Sequence, residues 1–269
     1  MEETLRCLLP PESTMLGEAM RYAVLSGGKR YRPLLTLAAG DCLGASPGDL
    51  LPYACSIELI HNYSLIHDDL PCMDDDDLRR GKPTCHKAFS EEIALLAGDA
   101  LLTLAFEAAA EADSGGYPER KIAAIRELGR AAGTRGMIGG QYLDISRRPE
   151  DVDRACLLEL IGKKTGALIT ASVRLGGILG GADSKRLDIL TRFGENLGLA
   201  FQIRDDIKDA SEDKGEGHVP RPNSVRTLGR AGAEESLALF LSEADKALAE
   251  ISLSTDELEY LADFLRGTG

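Results

Sequence analysis

The chain has 269 residues, of which 43% are hydrophobic, and it carries a net charge of −13 with a pI near 4.9. So acidic a chain has no basic stripe that could release counterions from phosphates, which argues against a nucleic-acid partner. The N-terminus lacks the basic start of a signal peptide, and no window reaches about 18 uninterrupted apolar residues. These features predict a cytoplasmic protein with no membrane segment. The six scattered cysteines form no Cys-x-x-Cys pair and are expected to be reduced.

Helical periodicity runs through nearly every long segment, whereas the alternation typical of strands is almost absent. Tryptophan is missing and aromatic residues make up only 5%, a composition that favours helix over strand. No linker rich in Pro, Gly or Ser divides the chain before a polar, mobile loop at 211–227. We therefore predict an all-α fold, a single helical domain over 1–269, with helices at 16–26, 33–43, a helix capped by Asp49 and ended by Pro71, 91–112, 117–139, 151–160, 165–179, 184–210, 231–250 and 255–266.

Six aspartates lie in residues 61–81, HNYSLIHDDLPCMDDDDLRRG, at the end of an apolar helix. Like charges at this density repel unless they are compensated, so the stretch predicts a cation site or an ion-pair network. Oxygen ligands suit Mg²⁺ and not zinc. Asp68 and Asp69 fall on the last helical turn, and the break at Pro71 allows the chain to bring Asp74 back toward the same ion.

A second acidic box, FQIRDDIKD, occupies residues 201–209. Helical spacing puts Asp205 and Asp209 one turn apart on one face, with Asp206 directed elsewhere. Carboxylates that project inward from facing helices are a known way for a helical bundle to hold metals. The alternative is that the aspartates of both boxes are solvated and paired locally with neighbouring basic residues: Arg79, Arg80, Arg204 and Lys208.

Basic residues concentrate beside glycines, in GGKRYRP at 27–33 and GKKTGAL at 162–168. In an acidic protein such clusters suggest captured phosphates, although Lys163 and Lys164 could equally be a surface pair. The spacing does not match a P-loop, so the phosphates would be reached through side chains and Mg²⁺. No histidine has zinc-site spacing and no serine has a nucleophile-elbow context. His61 shares a helical face with Asp68, and a structural role for it stays equally open.

Six motifs, in this order, resemble those of the trans-isoprenyl diphosphate synthases, also called polyprenyl synthetases: GGKRYRP, DDLPCMD with DDLRRGKPT, LAGDALL, GGQYLD, KTGAL and FQIRDDIKD. They cover most of the chain, and the DDLPCMD form is similar to that of the bacterial and plastid branch. The resemblance implies an all-helical homodimer that condenses isopentenyl diphosphate with an allylic diphosphate, dimethylallyl or geranyl. It also implies Mg²⁺, as three ions when diphosphate is bound, with Mn²⁺ as an alternative.

The resemblance also implies the roles of individual residues. The implied metal ligands are Asp68, Asp69, Asp74, Asp205 and Asp209. Allylic diphosphate would be contacted by Arg79, Lys164, Thr165 and Gln202. Isopentenyl diphosphate would be bound by Lys29, Arg32, His61 and Arg80, and Gly28 is a further expected substrate-binding residue. Arg221 stands where the family carries a substrate-binding lysine in the loop after the second motif. The residues expected to carry catalysis are Asp68, Asp69, Asp74, Lys164 and Asp205.

Tyr63 and Ser64 fall on the positions, five and four residues before the first aspartate, that floor the substrate pocket in this family. Because tyrosine is bulky, we expect a short product, farnesyl diphosphate (C15) or geranyl diphosphate (C10). Other interpretations stay open: a geranylgeranyl diphosphate synthase, a weakly active or non-catalytic subunit of a heteromeric synthase, and a bland helical scaffold. A class I terpene cyclase is disfavoured, because the chain lacks the N-D-x-x-S-x-x-x-E metal motif and many pocket aromatics.

Overall fold

The structure is a computed structural model that describes residues 1–113, 116–210 and 221–267. Within these ranges the chain is almost entirely helical, which confirms the predicted all-α class. One short antiparallel hairpin pairs β1 (Leu78–Arg79) with β2 (Lys82–Pro83). The α-helices of the described residues are α1 Glu2–Leu8, α2 Met15–Leu25, α3 Tyr31–Asp41, α4 Pro47–Asp68, α5 Cys85–Ala88, α6 Glu91–Glu111, α7 Pro118–Ala132, α8 Met137–Ser146, α9 Arg154–Ile161, α10 Ala167–Leu179, α11 Ser184–Asp209, α12 Ser224–Leu248 and α13 Asp256–Arg266.

The predicted helix at 117–139 is wrong at its end. Helix α7 stops at Ala132, and a new helix, α8, starts at Met137 and runs to Ser146. The turn between them is tight, because a Cβ placed on Gly136 would lie 2.0 Å from the backbone oxygen of Ala131. Only glycine allows so close an approach. The break redirects α8 so that its Asp144 reaches the candidate site.

Two further helix starts differ from the prediction. Helix α4 begins at Pro47 rather than at Asp49, since the Ser46 hydroxyl accepts from the Asp49 backbone N–H at 3.3 Å. Helix α12 begins at Ser224 instead of residue 231, capped by Asn223 and kinked at Gly229, where φ is +71°. Of the loop predicted at 211–227, residues 211–220 lie outside the described residues, and the remainder leads directly into α12.

The core is built around α4 and α10. Helix α4 buries residues on all sides, among them Tyr53, Ile57 and Ile60, and it packs along α6 and α3. Helix α10 contacts α3, α4, α7 and α11. A Cβ on its Gly176 would lie 2.4 Å from the Thr36 oxygen, so this glycine allows α3 and α10 to pack backbone against backbone. One domain over 1–269 stays a prediction.

Among the described residues, α6 is the helix long and apolar enough to span a membrane by length and composition, with 39% of its apolar window buried in the fold. Its buried residues pack against α4 and α2, as expected for a core helix. Its other face exposes Leu95 and Leu96. The absence of a membrane segment and a cytoplasmic location therefore stay predictions. All six cysteines are free thiols, in agreement with the expectation that they are reduced.

Candidate active site

Two cavities meet between α4, α8, α11 and the segment that joins α9 to α10. The first is a polar cleft of about 610 Å³. The second is a mainly apolar cavity of about 730 Å³. Both are lined by the same junction residues: Leu65, Asp68, Arg79, Lys164, Thr165 and Gln202. A ligand with a charged head and a hydrocarbon tail could therefore place its head in the cleft and its tail in the cavity.

The first acidic motif folds back on itself, as the proline break predicted. Helix α4 ends at Asp68, and the Asp74 backbone N–H donates to the Asp68 backbone oxygen at 2.9 Å. Asp75 completes the turn with a left-handed φ of +53°. Asp68 and Asp74 consequently line the same polar cleft.

Asp68 is the most perturbed carboxylate of the site. Burial raises the pKa of Asp68 to about 7, and the nearby Asp74 carboxylate acts in the same direction. The Lys164 ammonium opposes both effects. A bound cation would stabilise the charged form of this carboxylate, because it would offset both the desolvation and the repulsion from Asp74.

Asp69 faces away from the cleft and pairs with Arg79. The Asp69 side chain is only 4% exposed and accepts from Arg79 Nε at 2.9 Å and from a terminal guanidinium nitrogen. Arg79 also donates to Asp76 at 2.9 Å. Burial raises the pKa of Asp69, while this hydrogen bonding lowers it. Asp69 and Asp76 therefore position Arg79, which lies on β1 and lines both cavities. The next aspartate, Asp77, forms a separate ion pair with Lys87 at 2.8 Å.

The second acidic motif divides between the two cavities, which corrects one prediction. Asp205 lines the apolar cavity, whereas Asp206 and Asp209 line the polar cleft. Residues three apart on a helix are neighbours as much as residues four apart, and the cleft lies on the Asp206 side. Asp206 was thus missed by the sequence reasoning. Burial raises the pKa values of Asp205 and Asp206.

A chain of hydrogen bonds connects the second motif to its neighbours. The Thr165 hydroxyl donates to the side-chain oxygen of Gln202 at 2.6 Å, and the side-chain N–H of Gln202 donates to the Asp206 carboxylate at 2.9 Å. The other Asp206 oxygen accepts from the backbone N–H and the hydroxyl of Ser224, both at 2.7 Å. This network fixes the orientation of the Gln202 amide. It also holds the start of α12 against α11.

Lys164 lies in a π-helical turn, Gly162–Gly166, of a kind that is often found at functional sites. Its ammonium donates to the carboxylate of Asp144, whose side chain is 4% exposed. A Cβ on Gly140 would lie 2.1 Å from the Lys164 backbone nitrogen, so α8 approaches the turn closely at this glycine. Asp144 was missed as a site residue, although the GGQYLD motif contains it.

Arg221 brings the segment before α12 to the first acidic motif. Its guanidinium donates to Asp74 at 3.0 Å and to the Met73 backbone oxygen at 3.3 Å. Arg226, in the first turn of α12, lines the same cleft and was also missed by the sequence reasoning. The polar cleft therefore receives cationic side chains from three directions: Arg79, Lys164, Arg221 and Arg226.

A second basic group lies on the far side of Asp205. Arg32 and His61 line the apolar cavity together with Asp205, while Lys29 lies over the Phe264 ring at 4.7 Å. Burial lowers the pKa of Arg32. Burial and the surrounding arginines hold the pKa of His61 well below its usual range, so His61 is neutral and able to donate and accept hydrogen bonds.

Arg80 reaches this basic group across the glycine turn. It donates to the Gly27 backbone oxygen, and its guanidinium lies where a Cβ of Gly28 would be, at 2.8 Å. Gly28 has a φ of +126°, which favours glycine in this turn, and its lack of a side chain leaves space for the Arg80 guanidinium. Arg30, which the GGKRYRP motif also contains, is buried and pairs with Glu58 and Glu2, each at 2.7 Å, in a structural role.

Tyr63 and Ser64 both line the apolar cavity, on the turn of α4 before the first acidic motif. The Tyr63 ring is 5% exposed, and burial raises the pKa of its hydroxyl to about 12. The side chain is therefore neutral, and its bulk forms part of the cavity wall.

The donor set fits a hard divalent cation. Asp68, Asp74, Asp206 and Asp209 give the cleft an oxygen-only set of carboxylates. Across residues 1–113, 116–210 and 221–267, no group of three His, Cys, Asp or Glu side chains is close enough to form a complete ligand set. The fit rests on the raised pKa values of Asp68 and Asp206, which a cation would relieve.

Known proteins are similar to this chain in both sequence and fold. Residues 13–218 match the sequence profile of the family described as Polyprenyl synthetase. The chain is 44% identical over 270 residues to the farnesyl diphosphate synthase of Escherichia coli (strain K12), covering 96% of this chain and 90% of that protein. It is 49% identical over 232 residues to a heterodimeric geranylgeranyl pyrophosphate synthase large subunit of Arabidopsis thaliana, covering 84% of this chain and 60% of that protein.

A solved structure of an FPP/GFPP synthase from Zymomonas mobilis has the same fold. It matches with a TM-score of 0.90 at 38% identity, covering 98% of this chain and 94% of that chain. The helices that build the two cavities fall within this shared fold.

Proposed function

The chain belongs to the polyprenyl synthetase family, and from that premise we propose that it makes farnesyl diphosphate from isopentenyl diphosphate and dimethylallyl or geranyl diphosphate. Membership makes it a short-chain prenyltransferase that joins isopentenyl diphosphate to an allylic diphosphate. The farnesyl product is the proposed part. The observation that carries it is the buried Tyr63 ring in the wall of the apolar cavity.

The cleft is the proposed site of the allylic diphosphate. The bond that breaks joins the allylic carbon to a diphosphate oxygen, so negative charge develops on the departing diphosphate. Arg79, Lys164 and Arg221 line the cleft and would stabilise that charge. Arg79 and Lys164 are held by Asp69 and Asp144, so their cations are oriented before the substrate arrives.

Isopentenyl diphosphate is proposed to bind beside Arg32, His61 and Arg80. From there its double bond would attack the allylic carbon. The proton that leaves the condensed intermediate is proposed to pass to the released diphosphate. This path needs no protein base, in keeping with a neutral His61 whose pKa is held low.

Divalent metal use follows from the family, and we propose Mg²⁺ in three ions, with Mn²⁺ as a substitute. When bound, such ions would supply positive charge to the diphosphate oxygens. The residues proposed to hold them are Asp68, Asp74, Asp205 and Asp209, with Asp206 added from the geometry of the cleft. Asp69 is proposed to act through Arg79, because its Oδ1 accepts two hydrogen bonds from that guanidinium.

The test is an incubation of purified protein with Mg²⁺, isopentenyl diphosphate and each of dimethylallyl, geranyl and farnesyl diphosphate. Products are dephosphorylated and identified by gas chromatography with mass spectrometry. We expect farnesol from the first two primers and little product from the third. Inactivity with all three would overturn the proposal and favour a non-catalytic partner subunit, and a cyclic hydrocarbon would favour a cyclase.

A geranylgeranyl product is the second candidate, favoured by the 49% identity to the Arabidopsis large subunit. The same incubation separates the two, because a geranylgeranyl synthase would extend farnesyl diphosphate by one unit. Accumulation of geranylgeraniol from all three primers would replace the farnesyl proposal by this one.

A homodimer is also proposed. Helices α6 and α8 expose large apolar side chains, Leu95, Leu96, Ile138, Tyr142 and Ile145, and the last three line the apolar cavity. A second copy on this face would remove apolar surface from water and close the cavity wall. Light scattering after size-exclusion chromatography should give twice the chain mass. Leu96→Glu should give a monomer, whereas Leu239→Glu, on exposed α12, should not.

A further inference from the structure

His67 bridges α4 to α6 along the wall of the apolar cavity. It is the last residue before the first acidic motif, and its ring lines the cavity. Its Nε2 lies 3.0 Å from the backbone oxygen of Leu95 on α6. Because that oxygen can only accept, Nε2 must carry the hydrogen and donate it. The Asp99 carboxylate, 3.9 Å from the same nitrogen, favours a donor there as well.

The same imidazole contacts Tyr63, one helical turn away. The two ring centroids are 5.7 Å apart and the rings are inclined by 76°, an edge-to-face arrangement. The Tyr63 hydroxyl is buried and has no hydrogen-bond partner among the described residues. The orientation of the tyrosine is therefore set by packing, and His67 is an aromatic neighbour that is itself anchored by a hydrogen bond.

Gly98 on α6 provides the space for this arrangement. A Cβ at this position would lie 2.1 Å from His67 Nε2 and 2.4 Å from Cδ2. Glycine inside a helix is destabilising relative to alanine. At position 98 glycine is nevertheless required for this contact, since the imidazole lies directly against the α6 backbone and leaves no space for a Cβ.

We propose that His67 is a positioning residue for product length, which holds the Tyr63 ring as the floor of the hydrocarbon cavity. The hydrogen bond to Leu95 fixes the imidazole, and the imidazole fixes the tyrosine. Without it, Tyr63 could rotate into the vacated space and leave room for a further isoprene unit. This inference rests on the proposed prenyltransferase function and on the proposed floor role of Tyr63.

The test measures the ratio of products in His67→Ala and His67→Asn, using isopentenyl diphosphate in excess over geranyl diphosphate. We expect the fraction of products longer than C15 to rise at least about tenfold in both, the scale on which removing steric exclusion relaxes a hydrophobic pocket. Asparagine keeps a side-chain N–H donor but lacks the ring, so it separates ring packing from loss of the donor. A general loss of packing lowers the rate without changing the product ratio.

Gly98→Ala perturbs the same contact from the opposite side. Its methyl group should displace the imidazole, change the product ratio and lower the melting temperature. His67→Ala in the Gly98→Ala background should restore much of that temperature, because the clashing ring is gone. Gly129→Ala is the matched control, since the nearest atom to its Cβ would be the Phe106 ring at an ordinary 3.8 Å. It should leave the product ratio unchanged, and it should not lower the melting temperature, because alanine is favoured over glycine inside a helix such as α7.

The outcomes separate the two levels of the proposal. An unchanged product ratio in His67→Asn and in Gly98→Ala, with active enzyme in both, would overturn the role of His67 and leave the proposed function intact. If His67→Ala does not fold, the other two variants decide. An inactive parent enzyme would instead overturn the proposed function.

Discussion

The Arg221 guanidinium donates to the Asp74 carboxylate at 3.0 Å, joining residues 147 positions apart in the sequence. This contact connects the segment leading into α12 with the first acidic motif. Arg221 occupies the position where the family resemblance implies a lysine. A guanidinium can hold a carboxylate and a diphosphate oxygen at once, whereas an ammonium acts as a point charge. The Arg221 guanidinium therefore holds the segment before α12 against the first acidic motif, in the wall of the polar cleft.

Arg221→Ala should raise the KM for the allylic diphosphate by about 10- to 100-fold, the range expected for the loss of a hydrogen bond to a charged group. Arg221→Lys should recover part of that loss, because the charge remains. Steady-state kinetics with geranyl diphosphate as the varied substrate measures both. Arg192→Ala, which removes an exposed arginine paired with Glu250, is the matched control and should leave KM unchanged. Equal KM values for the parent and Arg221→Ala would contradict the assignment.

Asp144 should matter through Lys164. Asp144→Asn leaves the ammonium without its charged partner, so the lysine is free to move from the diphosphate position. We expect kcat to fall about 10- to 100-fold, with a smaller change in melting temperature than Asp144→Leu would cause. The adjacent Lys163, paired with Glu159 on the surface, offers a control: Lys163→Met should retain kcat. If Lys163→Met lowers kcat as much as Asp144→Asn does, the loss does not depend on the Asp144–Lys164 contact. That result would contradict the proposal that Asp144 positions Lys164.

Tyr63 should set the length of the product. Tyr63→Ala removes the ring from the cavity wall and should shift the main product from C15 to C20 or longer. Tyr63→Phe should keep the C15 product, because the buried hydroxyl has no partner among the described residues. Product chains are separated by reversed-phase chromatography after dephosphorylation. A C15 product from Tyr63→Ala would remove the basis for the farnesyl proposal.

Sequence reasoning predicted those features of the candidate site that lie inside one local pattern. Pro71 predicted the fold-back that brings Asp74 to Asp68, because a proline ends a helix wherever the chain goes next. In this case the cause and the effect lie within two helical turns. The second acidic box predicted a helix end rich in carboxylates, but not that Asp206 faces the cleft, because the packing of α11 decides which face meets the cavity.

The residues that were missed are defined by contacts between distant elements. Asp144 enters the site only because Gly133 and Gly136 break the predicted helix and redirect α8. Arg226 enters because α12 starts at Ser224, which Asp206 holds. Neither break nor cap is visible as periodicity, since both depend on backbone geometry and on partners elsewhere in the chain.

The stability of the protein should fall at alkaline pH because of its buried thiols. Burial raises the pKa of Cys55 to about 12 and that of Cys85 to about 12, whereas an unfolded cysteine ionises near 8.5. A folded-state pKa above the unfolded value gives stability that is complete below about pH 8.5 and is lost as the pH rises toward 12. Each thiol removes at most about 1.4 kcal/mol per pH unit in that window. Urea unfolding at pH 7.5, 9 and 10 should show this decline, and Cys55→Ala should show a shallower one, while parallel pH profiles for the two proteins would refute the assignment.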